Sequence, residues 1–125
     1  MYSNFDGIEI IGIASSVPDK QVCNSFFEHL LTEKEMRMFE KTVGIKERRW
    51  ASDNVTASDL GYHAAIEILN NNDIDKKSIK SIIFLSQTSD YKIPFTSNIL
   101  QHRLGLEIQT LCLDINAGCA GFIQG

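Results

Sequence analysis

The sequence predicts an α/β protein with a mainly parallel sheet. Three apolar runs with strand character, at residues 8–14, 81–87 and 109–115, alternate with stretches that carry apolar residues at helical spacing. The third run leads straight into Asn116-Ala117-Gly118-Cys119-Ala120-Gly121, a group of small residues around one cysteine. In sheets of this kind reactive groups collect beyond the carboxyl ends of the strands.

Each element has its own signal. Ile8-Glu9-Ile10-Ile11-Gly12-Ile13-Ala14 is nearly continuous, apolar and rich in β-branched residues, so it reads as a strand covered on both faces, ended by a loop through Pro18 and Asp19. Asn24 or Ser25 is a suitable N-cap for a helix carrying Phe26, Phe27, Leu30 and Leu31. A second helical stretch with Met36, Met38 and Phe39 closes at Gly44. Residues 45–51 alternate in charge and read as either a short edge strand or an exposed loop.

The clearest helix follows. Thr56 and Asp59 have the spacing of a capping box, and Leu60, Ala64 and Ile68 recur on one face as far as Asn71. Turn residues 70–73 end it, and residues 81–87 form a second buried-type strand. A polar loop runs through Asp90 to Ile93 and Pro94. Thr96 or Ser97 starts a helix with Ile99, Leu100 and Leu104 on its apolar side, stopped by Gly105, and residues 109–115 make the third strand.

Composition sets limits on function. A chain of 125 residues suits one domain, here taken as 1–125, and 43% hydrophobic with 22% charged residues is the balance of an ordinary soluble protein. A formal net charge of -4 lacks the basic excess that favours nucleic acid. No apolar run reaches bilayer length, and the first seven residues lack the basic and apolar parts of a signal peptide, so the reading is cytoplasmic with no membrane partner. Cys23, Cys112 and Cys119 show no paired spacing, which argues against a disulfide scaffold and implies no metal site. His29, His63 and His102 are scattered through helical segments and read as surface or core histidines.

Cys119 is the candidate nucleophile. At a helix start a thiol meets unpaired backbone N–H groups and the positive end of the helix dipole, both of which favour thiolate, while Gly118, Ala120 and Gly121 clear space around the sulfur. The plainer alternative is a small residue buried in a crowded turn.

Val43-Gly44-Ile45-Lys46-Glu47-Arg48-Arg49, the loop from Ser86 to Pro94, and Asp114-Ile115-Asn116-Ala117-Gly118-Cys119-Ala120-Gly121-Phe122 occur in one order. Together they resemble β-ketoacyl-acyl-carrier-protein synthase III, from Ile8 to the last residue. The resemblance implies the thiolase-like fold, a duplicated, layered α/β architecture of which this chain resembles the first half. It implies that Cys119 takes an acyl group from a thioester, acyl-CoA or acyl-carrier-protein, and that the carbanion left when malonyl-acyl-carrier-protein loses CO2 then attacks the acyl-enzyme. The backbone N–H of the cysteine contributes to the family's oxyanion hole. No cofactor is implied, and a homodimer is.

Two departures qualify what is implied. The family's histidine and asparagine, which assist decarboxylation and stabilise the enolate, come from segments that would follow Gly125, so the chain reads as a fragment: a truncated or degraded product, or part of a split gene. In coenzyme-A-dependent members tryptophan and arginine hold the adenine group where Met38 and Thr42 stand here. Threonine supplies no guanidinium, which points to a carrier-protein donor or a longer specialised acyl group. Ile93 occupies a position where the family often has a phenylalanine reaching across the dimer to shape the partner's acyl pocket. Two alternatives keep parts of this reading: a thiolase-fold acyltransferase with another acceptor, or a noncatalytic half-domain for dimerisation or carrier-protein docking.

The cysteine argument predicts that, in the folded chain at neutral pH, iodoacetamide modifies Cys119 before Cys23 or Cys112. Mass-spectrometric mapping of the alkylated sites over time checks it.

Overall fold

The computed structural model describes residue 4 and residues 6–125, with the elements in the order β1 (Lys20–Cys23), α1 (Glu33–Val43), β2 (Glu47–Trp50), α2 (Ala57–Asn71), β3 (Ser81–Leu85), α3 (Thr96–Leu104), β4 (Leu111–Ile115) and α4 (Gly121–Gln124). Single 3-10 turns cover Asn24–Phe27 and Lys76–Ser78. The chain divides into two compact units, one formed by Val17–Thr56 and the other by Ala57–Gly125 with the segment that ends at Ser16.

In the smaller unit β1 pairs antiparallel with β2, Val22 opposite Arg48. Neither strand has a strong pattern of its own: the sequence carries no strand signal over Lys20–Cys23, and residues 45–51 read as either an edge strand or an exposed loop. Asn24, expected as an N-cap, has a different task. Buried at 4% exposure, it donates from Nδ2 to the Ile45 carbonyl at 2.8 Å and to Glu40 Oε1 at 2.9 Å, and its Oδ1 accepts from Arg48 Nη2 at 2.9 Å. With that side chain committed to α1 and β2, the expected helix shrinks to the single turn Asn24–Phe27, whose N-cap position is Cys23, and leaves Leu30 and Leu31 outside it. The true cap lies further on. Thr32 Oγ1 accepts from the Glu35 N–H while the Glu35 carboxylate accepts from the Thr32 N–H at 2.8 Å, a capping box that starts α1. Gly44, at φ 78°, ends it in the left-handed conformation that only glycine adopts without strain.

The larger unit is a parallel β3–β4 pair joined through α3, with α2 and α3 packed on one face. Register runs from Ser81 opposite Leu111 to Leu85 opposite Ile115. Because successive strand side chains point to opposite faces, Ile82 and Phe84 join Leu69, Leu100 and Leu104 in the core. Their neighbours Ile83, Leu85, Leu111 and Leu113 lie on the other face at 38–56% exposure. The sequence predicted strands covered on both faces, whereas the described residues cover only one.

Residues 8–14 do not form the expected strand. Ladder hydrogen bonds define a strand, and the described residues place no partner beside this segment, so Ile8, Ile10, Ile11 and Ile13 stand exposed outside any regular element. Gly12 lies close against α2, where a Cβ would meet the Asn72 amide at 2.9 Å and the Ile68 methyl at 3.3 Å. No described helix is long and apolar enough to cross a membrane.

The start of α3 depends on β4. Phe95 occupies the N-cap position and provides no side-chain cap, so the first N–H groups turn to Asp114: Thr96 N–H reaches Oδ2 at 2.6 Å and Ser97 N–H reaches Oδ1 at 2.8 Å. Burial pushes the Asp114 carboxyl up, but the influence of Ser97 and Thr96 is greater and leaves it below the usual carboxylate range. Their two hydroxyls act in the same direction, although neither meets hydrogen-bond geometry.

A carboxyl held low in the folded state contributes stability that is complete above its unfolded value, about 3.9, and is lost as pH falls through the folded value. Asp114→Ala is therefore expected to cost about 1–3 kcal/mol near neutral pH, since it leaves two buried N–H donors without an acceptor. The difference from the parent should narrow in strong acid. Urea unfolding followed by circular dichroism at a series of pH values checks both effects.

Candidate functional site

β3 and β4 are parallel, so their carboxyl ends lie side by side, and the chain leaves β3 there into the loop that leads to α3 and β4 into a short turn. After Ile115 the turn over residues 116–120 closes with the Gly121 N–H donating to the Gly118 carbonyl at 2.9 Å. Cys119 sits in this turn, exposed, one residue before the N-cap Ala120 of α4. The sequence placed it at a helix start. The structure sets it just ahead of a helix of only four residues.

The glycines around the cysteine have a specific use. A Cβ on Gly121 would lie 2.7 Å from Leu85 Cδ1 and 2.9 Å from Cδ2, and a Cβ on Gly118 would lie 3.0 Å from Gln87 Nε2. Both glycines therefore admit side chains from the end of β3 and the turn after it, whereas the sequence reading had them clear space around the sulfur. They bring the two turns into contact. The Ser86 N–H extends the ladder to the Ile115 carbonyl at 3.1 Å, so the turn bearing Gln87 is registered against the turn bearing Cys119.

Beyond Gln87 the loop is tied down at Asp90. Its carboxylate accepts from the Ser58 hydroxyl and from the Ser58 N–H at 3.4 Å, near the start of α2. Arg103 bridges from α3 to Asp59 at 2.8 Å and stacks over Tyr62. The loop then carries Ile93 outward to 88% exposure. Sequence reasoning missed Gln87, Asp90 and Asp114 as contributors to this region. Their partners are 17 to 32 residues away along the chain, and only Asp90 stood out locally, as a turn residue.

The remaining candidates fall elsewhere. Met38 and Thr42 line one side of a shallow hollow on α1 with Thr32, Glu35, Phe39 and Val43, in the smaller unit. His29 meets Phe26 edge-on, and His63 meets Tyr62. Among the described residues no three His, Cys, Asp or Glu side chains converge to hold a metal ion. Cys112 sits within β4, its Sγ 3.5 Å from the Thr110 carbonyl. Burial first, and the Asp114 charge second, push its thiol up against an opposing hydrogen bond with Asn98.

Comparison with known proteins supplies what geometry alone does not. No protein-family profile matches the chain. It is 35% identical over 116 residues, 93% of its length, to β-ketoacyl-[acyl-carrier-protein] synthase III of Staphylococcus saprophyticus, and 37% identical over the same span to synthase III 1 of Halalkalibacterium halodurans. The crystal structure of 3-oxoacyl-(acyl-carrier protein) synthase from Burkholderia xenovorans superposes with a TM-score of 0.83 at 38% identity, over 90% of this chain and 33% of that one. The fold is thiolase-like. Within that class the chain belongs to the 3-oxoacyl-[acyl-carrier-protein] synthase III family, and it spans about 36% of the length of the curated relatives it matches.

The environment of Cys112 predicts an ordering of the thiols that does not depend on function. A raised thiol holds less thiolate at neutral pH, so Cys112 should alkylate at least about tenfold more slowly than the exposed Cys23 and Cys119, and should catch up as pH rises. Site-resolved alkylation rates between pH 7 and 9.5 check this.

Proposed function

We propose that this chain is the nucleophile-bearing part of a thiolase-fold acyltransferase of the 3-oxoacyl-acyl-carrier-protein synthase III type, with Cys119 as the acylated residue. The observation that carries the proposal is the position of Cys119: an exposed thiol in the turn leaving β4, at the carboxyl end of a parallel pair, within the Asn-Ala-Gly-Cys-Ala-Gly motif. Its thiolate attacks the carbonyl of an acyl thioester, the C–S bond to the donor breaks, and the donor leaves as a thiolate that takes its proton from water. Sulfur suits this step because exchange between thioesters is nearly balanced in free energy, so the acyl group can be passed on.

In the second step malonyl-acyl-carrier-protein loses CO2, and the resulting carbanion attacks the acyl-cysteine carbonyl. A new C–C bond forms, the C–S bond to Cys119 breaks, and the thiolate is restored. The histidine and asparagine that the family uses here have no counterpart in these 125 residues, so the chain by itself performs the first step and not the second. Met38 and Thr42 in place of an adenine-binding pair favour a carrier-protein donor or a longer acyl group over acetyl-CoA. Ile93, exposed on its loop, is assigned to the wall of a partner subunit's acyl pocket in a homodimer. Isoleucine in place of phenylalanine there leaves room for a branched or larger primer.

Incubation of the folded chain with radiolabelled acyl thioester and malonyl-acyl-carrier-protein separates the steps. Label is expected on Cys119 and absent from Cys119→Ala, with no β-ketoacyl product above that control. Accumulation of product would overturn the assignment of the second step to residues outside this chain. Absence of label from Cys119 would overturn the acyl-cysteine reading itself.

A further inference from the structure

Gln87 is held beside the cysteine turn, and its carboxamide is uncommitted. Gly118 lacks a Cβ where one would lie 3.0 Å from Gln87 Nε2 and 3.6 Å from its Cδ, so the side chain rests on the residue immediately before Cys119. Its backbone is fixed on both sides. Before it, the Ser86 N–H is bonded to the Ile115 carbonyl. After it, the Thr88 N–H donates to Ser86 Oγ at 2.9 Å, and Asp90 is fastened to Ser58, a residue only 2% exposed. The neighbouring hydroxyls of Ser86 and Thr88 lie 3.4 Å apart and share a hydrogen bond. The Gln87 carboxamide, in contrast, makes no hydrogen bond among the described residues.

A neutral amide so placed has both a donor and an acceptor to offer. Close packing against a glycine limits where it can point, and its N–H groups need no change of protonation to stabilise negative charge on a neighbouring oxygen. We propose that Gln87 contacts the ligand at the Cys119 site, its Nε2–H donating to the carbonyl oxygen of the acyl thioester under attack by the sulfur. This rests on the acyl-cysteine reading above. No proton is transferred; the hydrogen bond shortens as the carbonyl oxygen gains charge and lengthens when the thioester reforms on Cys119.

Two reactions at the same sulfur test it, compared across the parent chain and Gln87→Ala, Gln87→Glu and Gln87→Lys. Gln87 is exposed, so these variants should keep the parent's circular dichroism. The first reaction is alkylation of Cys119 by iodoacetamide at pH 7.5 and low salt, where Gln87→Lys should react about two- to threefold faster than the parent and Gln87→Glu slower by a similar factor. Gln87→Ala should match the parent. The second is acyl transfer from octanoyl-N-acetylcysteamine to Cys119, read by mass, which Gln87→Ala should slow about tenfold or more. Equal alkylation rates for the two charged variants would place Gln87 away from the sulfur and overturn the proposal, as would an undiminished acyl transfer in Gln87→Ala. The two alkylation shifts in the charged variants, together with a parent chain that takes no octanoyl group, would refute the acyl-cysteine function while supporting Gln87 as the polar contact of the Cys119 site.

Discussion

The carboxylate of Asp114 joins the end of β4 to the beginning of α3, and the geometry of the larger unit follows from that bond pair. A helix start leaves N–H groups without intrahelical acceptors and a partial positive charge facing outward. Here Thr96 and Ser97 are both fully buried, so water cannot serve them, and the acceptor must come from the fold. Asp114 comes from the strand that α3 precedes, so the crossover closes on itself. The cost of burying a carboxylate is offset by two backbone donors on separate oxygens.

A similar device acts one layer away. Asp90 takes the Ser58 N–H and hydroxyl near the start of α2, fixing the loop after β3 much as Asp114 fixes the end of β4. The loop after β3 and the end of β4 are thus each tied to a helix start by a carboxylate. Gly118 and Gly121 then let side chains from one turn seat against the other. The rigid part of the site is made by these contacts, and the exposed cysteine sits on it.

What could be read from sequence was local. α2, α3, β3 and β4 appear close to their expected places because each carries its own period or apolar run, and Gly44 and Gly105 stop α1 and α3 as their position suggested. The motif around Cys119 was legible as a group of small residues leaving a strand. What escaped depended on partners distant in sequence: Asn24 bonding to Ile45 and Arg48, Asp114 capping α3, and β1 existing only because β2 pairs with it. The segment at residues 8–14 failed in the opposite sense. Its composition is that of a strand, but composition cannot supply the neighbour a ladder requires.

The parity of β4 bears on how this sequence can drift. Cys112 and Asp114 share the face of β4 toward α3, with Leu111 and Leu113 on the other, and only four residues separate Asp114 from Cys119. Insertion or deletion of one residue within the strand would exchange the two faces and carry the carboxylate to the side away from the helix it caps. A length change after Asp114 would instead break the match of Gly118 and Gly121 to Gln87 and Leu85. Substitutions can accumulate along this stretch one at a time, but its spacing is fixed at both ends.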